Sequence, residues 1–167
     1  NNIQGTFKCG DVRDIPFPDN TFDFIYSMGT IEHTKQWEQS TKELYRILKP
    51  GGTAIIGVPN KYPTFDPLRY YLLEILWKLN AFPYGYEHHF SSDEFEQLLT
   101  GVGFKVKDKS AILLFPFELR ALDLFLFKRW EKLASVNKPI LKLFEYLETH
   151  SKRLKRGGYL FAFEVTK

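Results

Sequence analysis

Residues 9–26 read CGDVRDIPFPDNTFDFIY, and the way this run divides decides the fold. Pro16 and Pro18 fix their own backbone angles and lack N–H donors, so neither belongs inside a central strand. Asp19-Asn20 is a turn pair. The residues that follow, Thr21–Met28, are β-branched and aromatic, the composition of a buried strand. The run is therefore a loop feeding a strand. Before it, GTFKC (5–9) alternates weakly and predicts another short strand.

Downstream, QWEQSTKELYRIL (36–48) places Trp37, Leu44, Ile47 and Leu48 on one helical face. KPGG (49–52) predicts the helix stop and the turn into a strand at TAIIGV (53–58). Strand, helix and strand in that order are the grammar of a right-handed crossover in a parallel sheet. Asp66 and Pro67 predict the start of a helix that carries Leu68, Tyr71, Leu72, Ile75, Leu76 and Leu79 at helical spacing. Ser91 and Glu94 form a capping box for a helix reaching about Thr100. GVGF (101–104) ends it, and KVKDKSAILL (105–114) predicts a strand. A Leu- and Phe-rich helix over 117–134 then breaks at NKP. A second helix sets Ile140, Leu143, Phe144, Leu147 and Leu154 on one side, and GGYLFAFEVTK (157–167) closes as a strand.

Composition bounds the function. The 167 residues suit one domain, and 44% hydrophobic with 26% charged residues is the balance of a soluble globular protein. A net charge of +3 does not point to nucleic acid as a partner. The single Cys9 excludes an internal disulfide, which suits a cytoplasmic protein, and with no histidine beside it in sequence it makes a poor nucleophile. NNIQGTFKCGD has no apolar core of a secretory signal, and no apolar run reaches the roughly 20 residues of a membrane span.

Three segments together, GDVRDIPFPDNTFDFIYSMGTIEH (10–33), RILKPGGTAIIGVPN (46–60) and HHFSSDEFEQLLTGVGFKV (88–106), resemble class I S-adenosylmethionine-dependent methyltransferases. The nearest branch is the small-molecule one that includes quinone-biosynthesis enzymes. The resemblance covers about residues 5–112 and the last strand. It implies an α/β fold: a partial Rossmann-like sheet holding strands three to seven, the last antiparallel, with a helical insertion before the final strand. Residues 1–167 would then be one partial domain, in which 59–90 and 114–156 are insertions that build a substrate lid. The implied methyl donor is S-adenosylmethionine.

The resemblance also assigns roles. Asp11 would accept a hydrogen bond from the adenine amine, with the N–H of Val12 facing the ring; alternatively Asp11 only bonds its own loop. Ser27, Met28 and Gly29 would form the strand tip against the methionine part, and Gly29 would permit close approach. Beyond the tip, His33 beside Glu32 is a candidate general base. Alternatively, Glu32 caps the next helix and His33 packs beneath it. Relatives that hold a divalent metal here carry an additional Glu where this chain has Gly29, so no metal is expected. Tyr86, His88 and His89 would wall the substrate pocket; on a strand the two histidines face opposite ways and do not share an ion. GVGF follows a helix and precedes a strand, the reverse of a dinucleotide loop.

The aromatic-rich insertions admit three readings: a lid over an apolar acceptor such as a prenylated quinone, a helical pair packed on the sheet, or peripheral membrane contact through residues 140–156 and their basic end KRLKR. Neither the glycine-rich loop that holds the methionine end nor the acid that binds the ribose occurs in these residues. The chain is accordingly expected to be the C-terminal portion of such an enzyme, inactive and weakly donor-binding alone. An unpaired edge on Thr21–Met28 would invite self-association. The competing expectation is a non-catalytic binding module. The acceptor atom, O, N or C, stays open.

Overall fold

A computed structural model describes residues 5–64, 69–79, 86–112, 138–151, 154 and 157–167. Among them are strands β1 (Phe22–Met28), β2 (Leu48–Gly57), β3 (Lys105–Ile112) and β4 (Leu160–Thr166). The helices are α1 (Trp37–Ile47), α2 (Arg69–Lys78), α3 (Ser92–Val102) and α4 (Lys138–His150). The strands form one sheet in the order β1-β2-β4-β3. β1 and β2 are parallel, with Ile25 opposite Ala54 and Ser27 opposite Ile56, and α1 joins them. β4 runs antiparallel to both β2 and β3. This is the partial Rossmann-like α/β sheet with an antiparallel last strand that the sequence implies.

The core lies on one face of the sheet. The register aligns Ile25, Ala54 and Val165 in one row and Ile56 with Phe163 in another. Leu44 and Ile47 of α1 and Phe95 and Leu99 of α3 close over these rows, all buried. Phe95 meets the Phe163 ring edge-on at 5.1 Å, and Phe104 meets Tyr45 the same way at 5.0 Å, so part of the high aromatic content is core packing. The predicted capping box is present: the Ser91 hydroxyl accepts from Glu94 N while Ser91 N donates to the Glu94 carboxylate. Gly103, at φ +119°, ends α3 in the left-handed conformation that only glycine adopts without strain.

Three expectations are corrected. Residues 5–9 form no strand, and the Phe7 side chain is 95% exposed. Among the described residues β1 pairs only with β2, so no strand-three edge supports this segment. The chain instead folds into a tight turn, Asp14 N donating to Asp11 O at 3.0 Å. Second, KPGG is not the link between helix and strand. Leu48 is already extended and opposite Phe22, and the next matched pair is Thr53 with Phe24, so residues 49–52 bulge within β2. Pro50 disfavours helical backbone at Lys49, and Gly51 absorbs a φ of +78°. Third, β1 is buried on one side only. Ile25 enters the core, whereas Phe24 and Tyr26, on the other face, are 54% and 66% exposed.

The predicted helix 117–134, the residues Asp66, Pro67 and Leu68 and the loop 80–85 lie outside the described residues. Pro139 sits in the first turn of α4, where a missing N–H costs nothing. Ile140 and Leu143 on α4 and Tyr71, Ile75 and Leu79 at or beside α2 are exposed, so their apolar spacing does not mark core-facing stripes.

Candidate active site

The site is built at the carboxyl ends of the parallel strands, where open α/β sheets place their ligands. Gly29, next after β1, donates to Gly57 O across the strand tips at 3.0 Å and turns the chain at φ +67°. A 3-10 turn, Ile31–His33, follows. Ile31 is fully buried and carries Glu32 inward with it, leaving that carboxylate side chain 1% exposed. A Cβ on Gly29 would lie 3.5 Å from Glu32 Oε1, so the carboxylate leans over the bare glycine.

A second segment, Tyr86–Phe90, crosses the tips. His88 N donates to Glu32 O at 3.0 Å, and His33 Nδ1 donates to Tyr86 O at 3.1 Å. On its other side Phe90 N donates to Pro59 O and Lys61 N to Phe90 O. The two histidines diverge. His88 stacks on Trp37 at 4.4 Å, and burial holds its pKa below the usual value, favouring the neutral ring. His89 is 5% exposed, and its Nε2 lies 3.2 Å from Glu87 Oε1 without completing a hydrogen bond. The Tyr159 hydroxyl, just before β4, donates to the same Glu87 oxygen at 3.3 Å.

Burial is the largest influence on Glu32, pushing its pKa up from 4.5 to about 7. The charge of Glu87 adds to that shift, while His33 and the backbone N–H groups of Thr30 and Glu32 oppose it. Its Oε2 is buried with no hydrogen-bond partner among the described residues. Glu32 does not cap α1, whose N-cap Gln36 makes no side-chain cap bond. His33 is exposed, and its Nε2 stands 3.8 Å from Glu32 Oε1.

The loop before β1 is held by residues that sequence reading passed over. Arg46 of α1 donates to Glu43, to Asp19, and to the carbonyls of Ile15 and Phe17, at 2.8–2.9 Å. Glu43 returns a bond from Ile15 N. This network fixes a hollow of about 210 Å³ lined by Lys8, Gly10, Asp11, Val12, Ile15, Pro16 and Phe17. Asp11 stands on its edge with its carboxylate engaged by Arg13 N, Nε and Nη2, which holds its pKa down at about 2. Arg13 also bonds Gln36, so the first turn of α1 ties the Asp11 loop, through Gln36, to the Tyr86–Phe90 segment, through Trp37. Glu43 and Arg46 were visible as a helical i, i+3 pair; the burial of Glu32, Glu87 and His89 was not. Among the described residues no cluster of three His, Cys, Asp or Glu suits a metal ion.

The pattern of a family described as a methyltransferase domain matches residues 1–56. A probable S-adenosylmethionine-dependent methyltransferase of Mycolicibacterium smegmatis is 31% identical over 101 residues, covering 60% of this chain and 35% of that protein. A ubiquinone/menaquinone biosynthesis C-methyltransferase of Geotalea daltonii is 35% identical over 107 residues, covering 56% and 45%. Over these segments the chain is similar to S-adenosylmethionine-dependent methyltransferases. It spans less than half the length of these two relatives. The crystal structure of a methyltransferase from Mesorhizobium loti, 14% identical, shares the fold with a TM-score of 0.60 over 97% of this chain and 69% of that one.

The residues at hand fit the adenine side of the methyltransferase donor, S-adenosylmethionine. The hollow offers Val12, Ile15 and Phe17 to a flat ring and a carboxylate, Asp11, at its rim. Gly29 presents backbone without a side chain at the tip of β1.

Proposed function

We propose that this chain supplies the adenine-side and acceptor-side parts of a site that transfers a methyl group to a small, apolar acceptor. The observation that carries this reading is the chain of contacts that runs from the Asp11 loop through the first turn of α1 to the Tyr86–Phe90 segment and Glu32. Arg13 of the Asp11 loop bonds Gln36, Trp37 beside it stacks on His88, and His88 N bonds the carbonyl of buried Glu32 in the 3-10 turn. S-adenosylmethionine, when bound, supplies the electrophilic methyl. Asp11 and Val12 hold the adenine, Ser27, Met28 and Gly29 face the methionine part, and Tyr86, His88 and His89 wall the acceptor pocket. Such a displacement needs alignment and exclusion of water above all, and Trp37 stacked on His88, with Phe90 edge-on to both, is an aromatic wall suited to it.

An apolar acceptor suits this lining, and the Geotalea relative is named for quinone biosynthesis. The insertions 59–90 and 114–156 then serve as the lid. The test is the full-length protein with methyl-labelled S-adenosylmethionine and a prenylated quinol. Label in the organic phase is expected; no labelled product with hydroxyl, amine or carbon acceptors, and no donor binding by calorimetry, would overturn it.

Peripheral membrane contact is a second reading, supported by α4. Ile140, Leu143 and Tyr146 are exposed along it, with Lys138 and Lys142 in the same helix. None of the described helices is long and apolar enough to cross a membrane. Such a helix lies in the interface plane and binds anionic headgroups. Co-sedimentation with anionic vesicles at low salt is expected, and Leu143→Glu should abolish it; a protein that stays in the supernatant ends this reading. Self-association through the β1 edge is a further part of the proposal.

A further inference from the structure

We propose that Glu32, backed by Glu87 and His89, is the group that takes the acceptor's proton during methyl transfer. The inference rests on the methyl-transfer reading and moves the acid–base role from His33 to its neighbour. Three observations carry it. Glu32 is almost fully buried, yet its Oε2 has no hydrogen-bond partner among the described residues, an arrangement that costs stability and is kept where an oxygen has work to do. Its Oε1 leans over Gly29, the bare strand tip assigned to the donor's reacting end. A second buried polar atom without a hydrogen bond among the described residues, His89 Nε2, stands beside Glu87, whose charge acts on Glu32. His33, by contrast, is exposed and spends Nδ1 on the Tyr86 carbonyl.

The groups that face Glu32 set when it can act. His33, on its own turn, favours the charged form, and Glu87, from the Tyr86–Phe90 segment, disfavours it. His89 and Tyr159 act through Glu87, the one beside its Oε1 and the other donating to it. Burial dominates, and a carboxyl that titrates near neutrality is matched to accept a proton at working pH. In the step itself a lone pair of the acceptor atom becomes the new bond to carbon, and the electron pair of its X–H bond stays on that atom. The pair of the breaking carbon–sulfur bond stays on sulfur, and the proton goes to the Glu32 carboxylate.

The experiment uses the full-length protein and Glu32→Gln, with infrared titration of carboxyl groups alongside turnover. Wild type should show a protonated-carboxyl band that titrates near pH 7 and is absent from Glu32→Gln. Turnover of a weakly acidic hydroxyl acceptor should fall roughly 100- to 10,000-fold in Glu32→Gln, with loss of the acidic limb of the pH profile. Glu87→Gln removes a neighbouring negative charge and should move both the band and that limb to lower pH, which a merely structural role would not do. Glu32→Gln that turns over normally with an unchanged pH profile overturns the assignment. So does a Glu32 band titrating in the ordinary carboxylate range. Wild type that binds no donor and methylates nothing overturns the methyl-transfer reading instead, while the infrared titration still reports whether Glu32 holds its proton.

Discussion

Glu32 shows where reading residues in sequence stops. The pair Glu32-His33 is conspicuous, and histidine, with its neutral-range pKa, is the natural choice of base. The structure exposes His33 and buries Glu32, because Ile31 must enter the core and the tight 3-10 turn takes the next residue with it. Burial is a property of the assembled chain, so this ranking was not legible beforehand. Asp11 was better placed: the resemblance implied an adenine role and the residues themselves a local turn, and its bonds to Arg13 are those of the local turn. The consequence for stability can be checked. A carboxyl whose pKa rises from 4.5 to about 7 on folding adds stability that is full below pH 4.5 and is lost as pH rises through 7. Glu32→Gln should therefore be stabilised relative to wild type by about 3 kcal/mol at pH 8, an order-of-magnitude value, and by little at pH 4.5. Urea denaturation at the two pH values measures it. Equal effects at both would mean that Glu32 is ionised throughout.

At the scale of elements, the local chemistry of α3 was fully legible: a Ser-x-x-Glu start and a glycine stop act within a few residues and ask nothing of the rest of the fold. The start of α1 and the KPGG bulge were less so, because they depend on which strand lies alongside. The end of α1 is completed from far away. Lys167 Nζ donates to the carbonyls of Tyr45 and Leu48 and to Asn20 Oδ1, each at 2.8 Å, and to Arg46 O at 3.3 Å. These are the carbonyls that a helix end leaves without partners, and a cation there also meets the negative end of the helix dipole. Gly51 N donates to Lys167 O and Lys167 N to Gly52 O, which stitches the same residue to the bulge. No sequence pattern links position 167 to position 46. Lys167→Met, which keeps the apolar stem, should cost roughly 1–2 kcal/mol by removing charge-assisted bonds at a partly exposed site. Chemical denaturation would read this directly; a change under a few tenths of a kcal/mol would show that water replaces the ammonium without loss.

For the molecule as a whole, the two edges of the sheet are built differently, and the contrast has a consequence. β3 carries Lys105, Lys107, Asp108 and Lys109 along its length, and charge of that density repels a second strand. β1 carries one charge, Asp23, already neutralised by Lys49 at 2.8 Å. Its remaining residues are aromatic, aliphatic or small, and Phe24 and Tyr26 stand exposed on the face away from the core. An edge with free backbone groups and no repelling charge is a template for strand addition. The strand–helix–strand parallel unit and the closing strand were legible in the sequence because hydrophobic period and turn chemistry are local, whereas the antiparallel direction of that last strand came from the family resemblance. The bare second face of β1 was not, since an apolar strand reads as buried whether or not anything covers it. The chain of 167 residues should therefore self-associate as concentration rises, with β1 pairing to β1. Tyr26→Lys puts a charge on that edge without entering the core and should return it to the monomer, while Lys107→Leu on β3 should leave the β1-mediated dimer in place. Sedimentation equilibrium across a concentration series decides it: a monomer at every concentration, or a dimer untouched by Tyr26→Lys, removes β1 as the interface.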